Sequence, residues 1–406
     1  RSGMVMQTFN ERELEALHFL REQTKDLLQP GYDTDYNILR WAQGYGFNLE
    51  EALFHLTRHL KFRRFFDLDN VDKIKDNKIL KQYFPLGLMG KTGKNNHLLV
   101  VECAGRIDLS GILRSVQMSA FIYQRFKFQE MMLRETNRME ALNKAQCSSV
   151  YILDLDGLKL DPSLLSIVTG PYRLLWVLVY TNYPEFIDKL VIVNAPTYVS
   201  VLWKAVSPLL PERTCNKVRF ATTLDETIRE LEKNCDMKYV PKHWGGDLID
   251  SNGDPMCRDR ITIPMDSIPK ELYWKPNDKS PPYNQLDSIV ISAGSWKLVT
   301  IKLGACDRKP FLIFNRYSER TYSMAIYHSA DENAIDQSVE EMRDWAPVFD
   351  YPPLPTVDYL KVPALGPGVY KFRFGNEQAW FRSVTLYYRI RFVDESDNPL
   401  PMEVIN

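Results

Sequence analysis

The chain has 406 residues, more than one ordinary core holds at about 100–200 residues per domain, so two or three domains are expected. With 45% hydrophobic and 25% charged residues it falls in the globular range, which excludes a largely disordered, collagenous or coiled-coil chain. Fifty-one Lys and Arg balance 52 Asp and Glu; no global field draws the chain to nucleic acid, and any basic surface is local.

From Thr8 to about Lys81, apolar residues recur at helical spacing through Leu14, Leu17 and Leu20, then Ile38, Leu39 and Trp41, then Leu49, Ala52, Leu53, Leu56 and Leu60. This predicts a helical bundle over 8–82. Pro30-Gly31 breaks its first helix, Asp33 or Thr34 caps its second, and Asn48 with Glu50-Glu51 starts its third. Beyond Leu86, short apolar runs at His97–Cys103, Val150–Leu153, Leu190–Val193 and Val218–Phe220 alternate with helical spans. Strands apolar on both faces and separated by helices predict an α/β domain over 83–247 with a mainly parallel sheet. A helix near Leu224–Lys233 follows, and a linker is expected over 248–286.

From Asp287 the texture turns β-rich: Ser288–Ser292, Trp296–Leu303, Phe311–Asn315, Tyr322–Tyr327, Val369–Phe374 and Val384–Phe392. These predict an all-β sandwich over 287–406, interrupted by an acidic, proline-rich excursion from Asp331 to Pro363. No run approaches the roughly 20 apolar residues of a membrane helix; the densest is Leu174 to Tyr180. Arg1-Ser2-Gly3 reads as a cloning remnant before a start at Met4, without a secretory signal, and a cytoplasmic protein with transient association to intracellular membranes is expected. Cys103, Cys147, Cys215, Cys235, Cys257 and Cys306 are scattered without a CxxC pair, as expected of reduced structural thiols.

Catalytic and metal motifs fail. Gly87-Leu88-Met89-Gly90-Lys91-Thr92-Gly93-Lys94 lacks the second glycine and the final hydroxyl residue of a phosphate loop, and a hairpin turn explains its glycines better. His55 and His59 stand four apart on a helix without a third ligand, so exposed or capping imidazoles are expected and no metal. Gly44-Tyr45-Gly46 is no dinucleotide fingerprint, and there is no GxSxG elbow. The expectation is neither an enzyme nor a cofactor protein.

One stretch carries function: Tyr183-Pro184-Glu185, the strand Lys189–Val193, Asn194-Ala195-Pro196, and then Tyr198, Leu202, Trp203, Val206, Pro208, Leu209 and Leu210. Its apolar side chains recur three or four apart, which makes an amphipathic helix beside the sheet, suited to covering a cavity. With Ile38-Leu39-Arg40-Trp41, Phe47-Asn48, Arg63-Arg64 and Ile152-Leu153-Asp154-Leu155-Asp156-Gly157-Leu158, the chain resembles the Sec14, or CRAL-TRIO, lipid-binding family. Val240-Pro241, Gly245-Gly246, Asn252-Gly253 and Gly368–Asn376 extend the resemblance to the supernatant-protein-factor-like subgroup that ends in a GOLD domain.

The resemblance implies a pocket holding one lipid, closed by a gate over about 197–210 that includes Tyr198, Leu202, Trp203, Val206 and Leu209. Family members that bind phosphatidylinositol use a glutamate, a threonine, a lysine and an arginine. Glu185, Thr214 and Lys217 match, while Tyr45 stands at the arginine position. The phosphatidylcholine-associated Ser-x-Thr is represented by Ser149 and Tyr151, retaining only the serine. A phospholipid, tocopherol, sterol precursor or retinoid therefore remains open as ligand, with a transient membrane surface and a protein partner of the GOLD domain as further contacts. Arg58, Lys61, Arg63 and Arg64 form a local basic cluster, read either as a headgroup contact or as a solvated helix face. The implied function is lipid binding and transfer or presentation; its alternative is an adaptor or trafficking regulator acting through the GOLD domain.

Overall fold

The computed structural model describes residues 7–405; the reading of Arg1-Ser2-Gly3 and Met4 falls outside them. Three helices open the chain: α1 (Glu11–Thr24), α2 (Asp35–Gly44) and α3 (Leu49–Phe65). Side chains fix where they start. Asn10 and Glu13 close a reciprocal capping box, Thr34 rather than Asp33 accepts from the Asn37 amide at 3.1 Å, and Asn48 accepts from Glu51 at 3.2 Å. α1 ends at Thr24, ahead of Pro30.

The chain then runs through α4 (Lys78–Tyr83), β1 (Leu86–Lys91), β2 (Leu98–Glu102), α5 (Leu109–Ser115), α6 (Met118–Asn143) and β3 (Ser149–Asp154). Next come α7 (Leu164–Thr169), α8 (Arg173–Asn182), β4 (Ile187–Val193), α9 (Val199–Val206), α10 (Glu212–Cys215), β5 (Val218–Ala221) and α11 (Leu224–Asn234). Strand order in the sheet is β1-β2-β3-β4-β5. β2 to β5 pair in parallel, as expected; β1 is an addition, antiparallel to β2, and the expected hairpin turn between them holds Gly93, whereas Gly87 and Gly90, also read as turn glycines, lie within β1.

Two compact units emerge. The first contains the described residues up to Thr57, with Val71–Ile112 and Gln124–Pro269; the second contains Arg58–Asn70, Leu113–Tyr123 and Lys270 onward. The expected linker is therefore divided. Met256, Cys257, Ile261 and Ile263 belong to the core of the first unit instead of spanning open space.

Period-two alternation explains why the sheet of the first unit has two unlike faces. Leu99, Val101, Val150, Ile152, Val191 and Val193 point to one side, where Leu231, Val240, Trp244 and Ile261 complete a closed core. Leu153, Leu190 and Ile192 point to the other, toward Val199 and Trp203. Asp154 locks strand ends together: its buried carboxylate accepts from Trp244 Nε1 at 2.9 Å and from Asn194 Nδ2 at 2.8 Å. The Asp-Leu-Asp-Gly and Asn-Ala-Pro motifs thus meet Trp244, just ahead of Gly245-Gly246, at one carboxylate.

Leu164–Asn182 is the one described segment long and apolar enough, by length and composition, to cross a membrane, which corrects the expectation that none is. Gly170 and Pro171 break it into α7 and α8. All six cysteines are free. Burial pushes the thiols of Cys103, Cys147 and Cys235 up to about 12, so they are protonated and inert at neutral pH.

In the second unit, β6 (Asp287–Ile291), β7 (Trp296–Leu303), β8 (Phe311–Ser318), β9 (Tyr322–Ser329), β10 (Arg343–Tyr351), β11 (Asp358–Pro363), β12 (Gly368–Gly375), β13 (Val384–Val393) and β14 (Met402–Ile405) form two sheets. Their orders are β10-β9-β12-β7-β14 and β11-β8-β13-β6, with every pairing antiparallel. Phe314 on one sheet meets Phe372 on the other with ring centroids 5.8 Å apart. The expected excursion at 331–363 contains two strands, β10 and β11. Asp358 on β11 is buried and ion-paired to Arg316 at 3.0 Å, and it accepts from Ser119 Oγ at 2.6 Å.

Of the basic cluster on α3, Arg58, Lys61 and Arg63 are engaged with the protein itself, while Arg64 is exposed. Arg58 donates to the Val348 carbonyl at 2.7 Å, Lys61 pairs with Asp344 at 3.0 Å, and Arg63 pairs with Asp69 at 2.6 Å. His59 is buried and His55 stacks on Tyr45 at 4.4 Å, so these imidazoles are packing groups, not the exposed or capping ones expected. Among the described residues no cluster could hold a metal ion.

Candidate lipid site

The open face of the sheet borders a cavity of about 220 Å³ within the first unit. Its floor is Tyr151, Leu153, Leu190, Ile192 and Phe220, and its walls include Leu164 and Val168 of α7 and Tyr172, Trp176 and Val179 of the α8 segment. α9 supplies Val199, Leu202, Trp203 and Val206, followed by Leu210. This helix is apolar because Leu202, Trp203 and Val206 recur at helical spacing, and Trp203 also packs edge-on against Phe220 at 5.6 Å.

Of the expected gate residues, three therefore line the cavity. The other two hold the segment's ends: Tyr198 donates to the Leu158 carbonyl at 2.8 Å, and the Leu209 carbonyl accepts from Tyr180 at 3.4 Å. Leu210, at the end of the expected gate, lines the cavity too, and Val199 joins the lining without having been singled out.

The expected headgroup residues do not assemble as one set. Glu185 and Lys217 do meet, at 3.2 Å, and Lys217 also donates to the Ile187 carbonyl at 2.9 Å. Arg213 reaches the same Glu185 oxygen at 2.7 Å. Thr214 and Tyr151 are on the cavity wall. Tyr45 is elsewhere, sandwiched between Trp41 and His55. Ser149 is buried with its hydroxyl donating to the Phe186 carbonyl at 2.8 Å, a strand-end lock away from the cavity lining. Glu185 itself sits at φ 55°, the left-handed region that a side chain seldom occupies. It borders a surface cleft of about 470 Å³ with Gln43, His97, Ser148 and Arg213.

Sequence reasoning missed Arg213, although it directly precedes Thr214 and supplies a cation where Tyr45 cannot. It also missed the polar end of the cavity. Glu102 ends a strand that is buried throughout, and its carboxylate accepts from Tyr151 and, at 2.7 Å, from Tyr172. Burial and the adjacent Glu102 charge raise both phenols well above their ordinary pKa, so they remain protonated donors at neutral pH. A carboxylate closing an apolar strand, and Arg125 inside the apolar run of α6, were the available signals.

The CRAL/TRIO domain family matches residues 81–246, and the F28H7_8_C-like C-terminal domain family matches 272–400. The chain is 32% identical over 398 residues to CRAL-TRIO domain-containing protein F28H7.8 of Caenorhabditis elegans, covering 96% of this chain and 92% of that one. It is 24% identical over 375 residues to Protein ctg-1 of the same organism, covering 91% and 93%. Among solved structures, the crystal structure of Sfh5 matches at 15% identity and a TM-score of 0.39, over 55% of this chain and 85% of that one.

Proposed function

Given that the chain belongs to the CRAL-TRIO, Sec14-like family, we propose that it takes up one lipid in the cavity beneath α9 and carries or presents it, with α9 as the gate. The carrying observation is a cavity lined almost wholly by Leu, Ile, Val, Trp, Tyr and Phe and roofed by a half-buried apolar helix. A tail leaves water only where apolar walls receive it, at about 25 cal/mol per Å². No catalytic step is assigned.

Incubation with mixed lipids followed by native mass spectrometry tests the reading. One lipid per chain is expected; none retained above a detergent-washed control refutes it. Within the same reading, Lys217 and Arg213 favour an anionic headgroup at Glu185. Lys217→Ala is expected to weaken phosphatidylinositol uptake by about tenfold, with retention of an uncharged lipid unchanged. An equal loss of both lipids would remove the headgroup role.

We further propose that a membrane surface is met transiently by the turn between β12 and β13, where Trp380 and Phe381 are 86% and 94% exposed beside Arg382. Aromatic rings next to a cation suit the interfacial layer of a bilayer containing anionic lipid. Replacing both aromatics with serine should lower co-sedimentation with phosphatidylserine vesicles at least about threefold without changing lipid uptake from solution. Unchanged sedimentation would leave the C-terminal sheets as a surface for a protein partner, the adaptor role. Assignment of these sheets as a GOLD domain and a cytoplasmic location belong to this proposal.

A further inference from the structure

The inner end of the cavity has a one-sided hydrogen-bonding capacity. Tyr151 and Tyr172 both spend their hydroxyl protons on Glu102, one on each carboxylate oxygen. Neither phenol then has a proton left for a ligand. Arg125 on α6 lines the same end, is only 9% exposed, and lies 5.9 Å from the Phe128 ring centroid. Its Nε and Nη1 have no hydrogen-bond partner among the described residues.

Guanidinium nitrogens only donate. A buried donor left unpaired is costly, and the cost disappears when an acceptor arrives. Arg125 is not without contacts: it hydrogen-bonds Tyr151, and Glu102 supplies an opposite charge at the same end. No acceptor reaches its Nε and Nη1.

We propose that the cavity binds a lipid whose inner end carries an accepting oxygen, a carboxylate or an ester carbonyl, and that Arg125 donates to it. This rests on the lipid-uptake reading above and narrows its ligand class. Simple hydrocarbons, which fill the apolar walls equally well, leave these Arg125 nitrogens unpaired and bind more weakly. Glu102, Tyr151 and Tyr172 act as positioning residues: they fix the polar end beside Arg125 and offer no free proton that would compete with it for the acceptor.

The experiment uses the full chain and three probes with comparable tails, delivered from cyclodextrin: oleate, methyl oleate and 1-octadecene. The wild-type protein is expected to prefer at least one of the two oxygen-bearing probes over the hydrocarbon by about tenfold or more. Preference for oleate alone identifies a charged acceptor, as in a free fatty acid; preference for both identifies a carbonyl shared with acyl esters. Arg125→Met should abolish the preference while leaving hydrocarbon binding within about twofold. Its thermal transition is measured alongside. If that variant does not fold, Arg125→Lys, which keeps the charge opposite Glu102 but changes the donor geometry, decides through a reduced preference at an unchanged melting temperature.

Equal binding of all three probes by the wild type overturns the acceptor subsite and leaves lipid uptake standing. Persistence of the preference in the Arg125 variants overturns the assignment of Arg125. Retention of none of the probes, or of any lipid from the mixed pool, overturns the uptake reading itself.

Discussion

Glu140→Ala is expected to destabilise the first unit by about 3–5 kcal/mol, because it strands a buried guanidinium. Arg40 and Glu140 are 3% and 2% exposed, and the pair joins α2 to α6. The same carboxylate also accepts from the Cys147 amide at 2.9 Å, just ahead of β3. Removing it therefore leaves the Arg40 cation without a counter-charge, held only by the neutral Cys147 carbonyl and Asn37 Oδ1, and the Cys147 N–H without its acceptor. At about 2–4 °C per kcal/mol for a domain of this size, the melting temperature should fall by roughly 6–20 °C.

The double variant Arg40→Met with Glu140→Leu should recover most of that loss, since a packed apolar pair avoids the desolvation of two ions. Calorimetry of the three proteins makes the comparison. A loss below about 1 kcal/mol in Glu140→Ala would mean that the pair is no more than a surface-strength contact. Arg40 thus belongs to the motif Ile38-Leu39-Arg40-Trp41 for architectural reasons: it ties α2 to α6, the helix whose Arg125 lines the cavity.

What could be read from sequence follows from how local each signal was. β2 to β5 were legible because strands buried on both faces are continuous apolar runs. β1 was not, since Leu86-Gly87-Leu88-Met89-Gly90 carries turn-like glycines; it bends with a shift of register between Leu88 and Gly90. β10 was hidden in the same way. Pro347 interrupts its pattern, and the strand accommodates it within the register shift between Ala346 and Phe349. β11 begins with a buried Asp358, whose partners Arg316 and Ser119 are far away in sequence.

The site divides along the same line. α9 was legible from its own spacing, and Glu185 with Lys217 from short motifs. Tyr45 was misplaced because a motif position says nothing about the direction of a side chain, and Tyr45 turns into a stack with Trp41 and His55. Glu102, Arg125, Tyr151 and Tyr172 come from four separate elements. Only the parallel pairing of β2 with β3, and the return of α6 and α8 over that sheet face, brings their polar atoms to one end of the cavity.

Trp203→Asp is expected to reduce lipid retention far more than it reduces stability. A tryptophan covers on the order of 150–250 Å², and if about half of that meets the ligand, roughly 2–3 kcal/mol of apolar contact is lost at about 25 cal/mol per Å². That corresponds to a fall in affinity of roughly 20- to 200-fold, and a carboxylate facing a tail adds desolvation to it. Stability has less at stake. Trp203 is half-buried on a short helix, and its edge-on ring contact with Phe220 is worth about 0.5–1.5 kcal/mol. The aspartate can turn toward solvent when the cavity is empty, but not when a lipid has to be enclosed. Retention by native mass spectrometry and unfolding by circular dichroism, measured on the same preparations, separate the two effects. Loss of fold in step with loss of lipid would make Trp203 a core residue and move the gate to Leu202 and Val206.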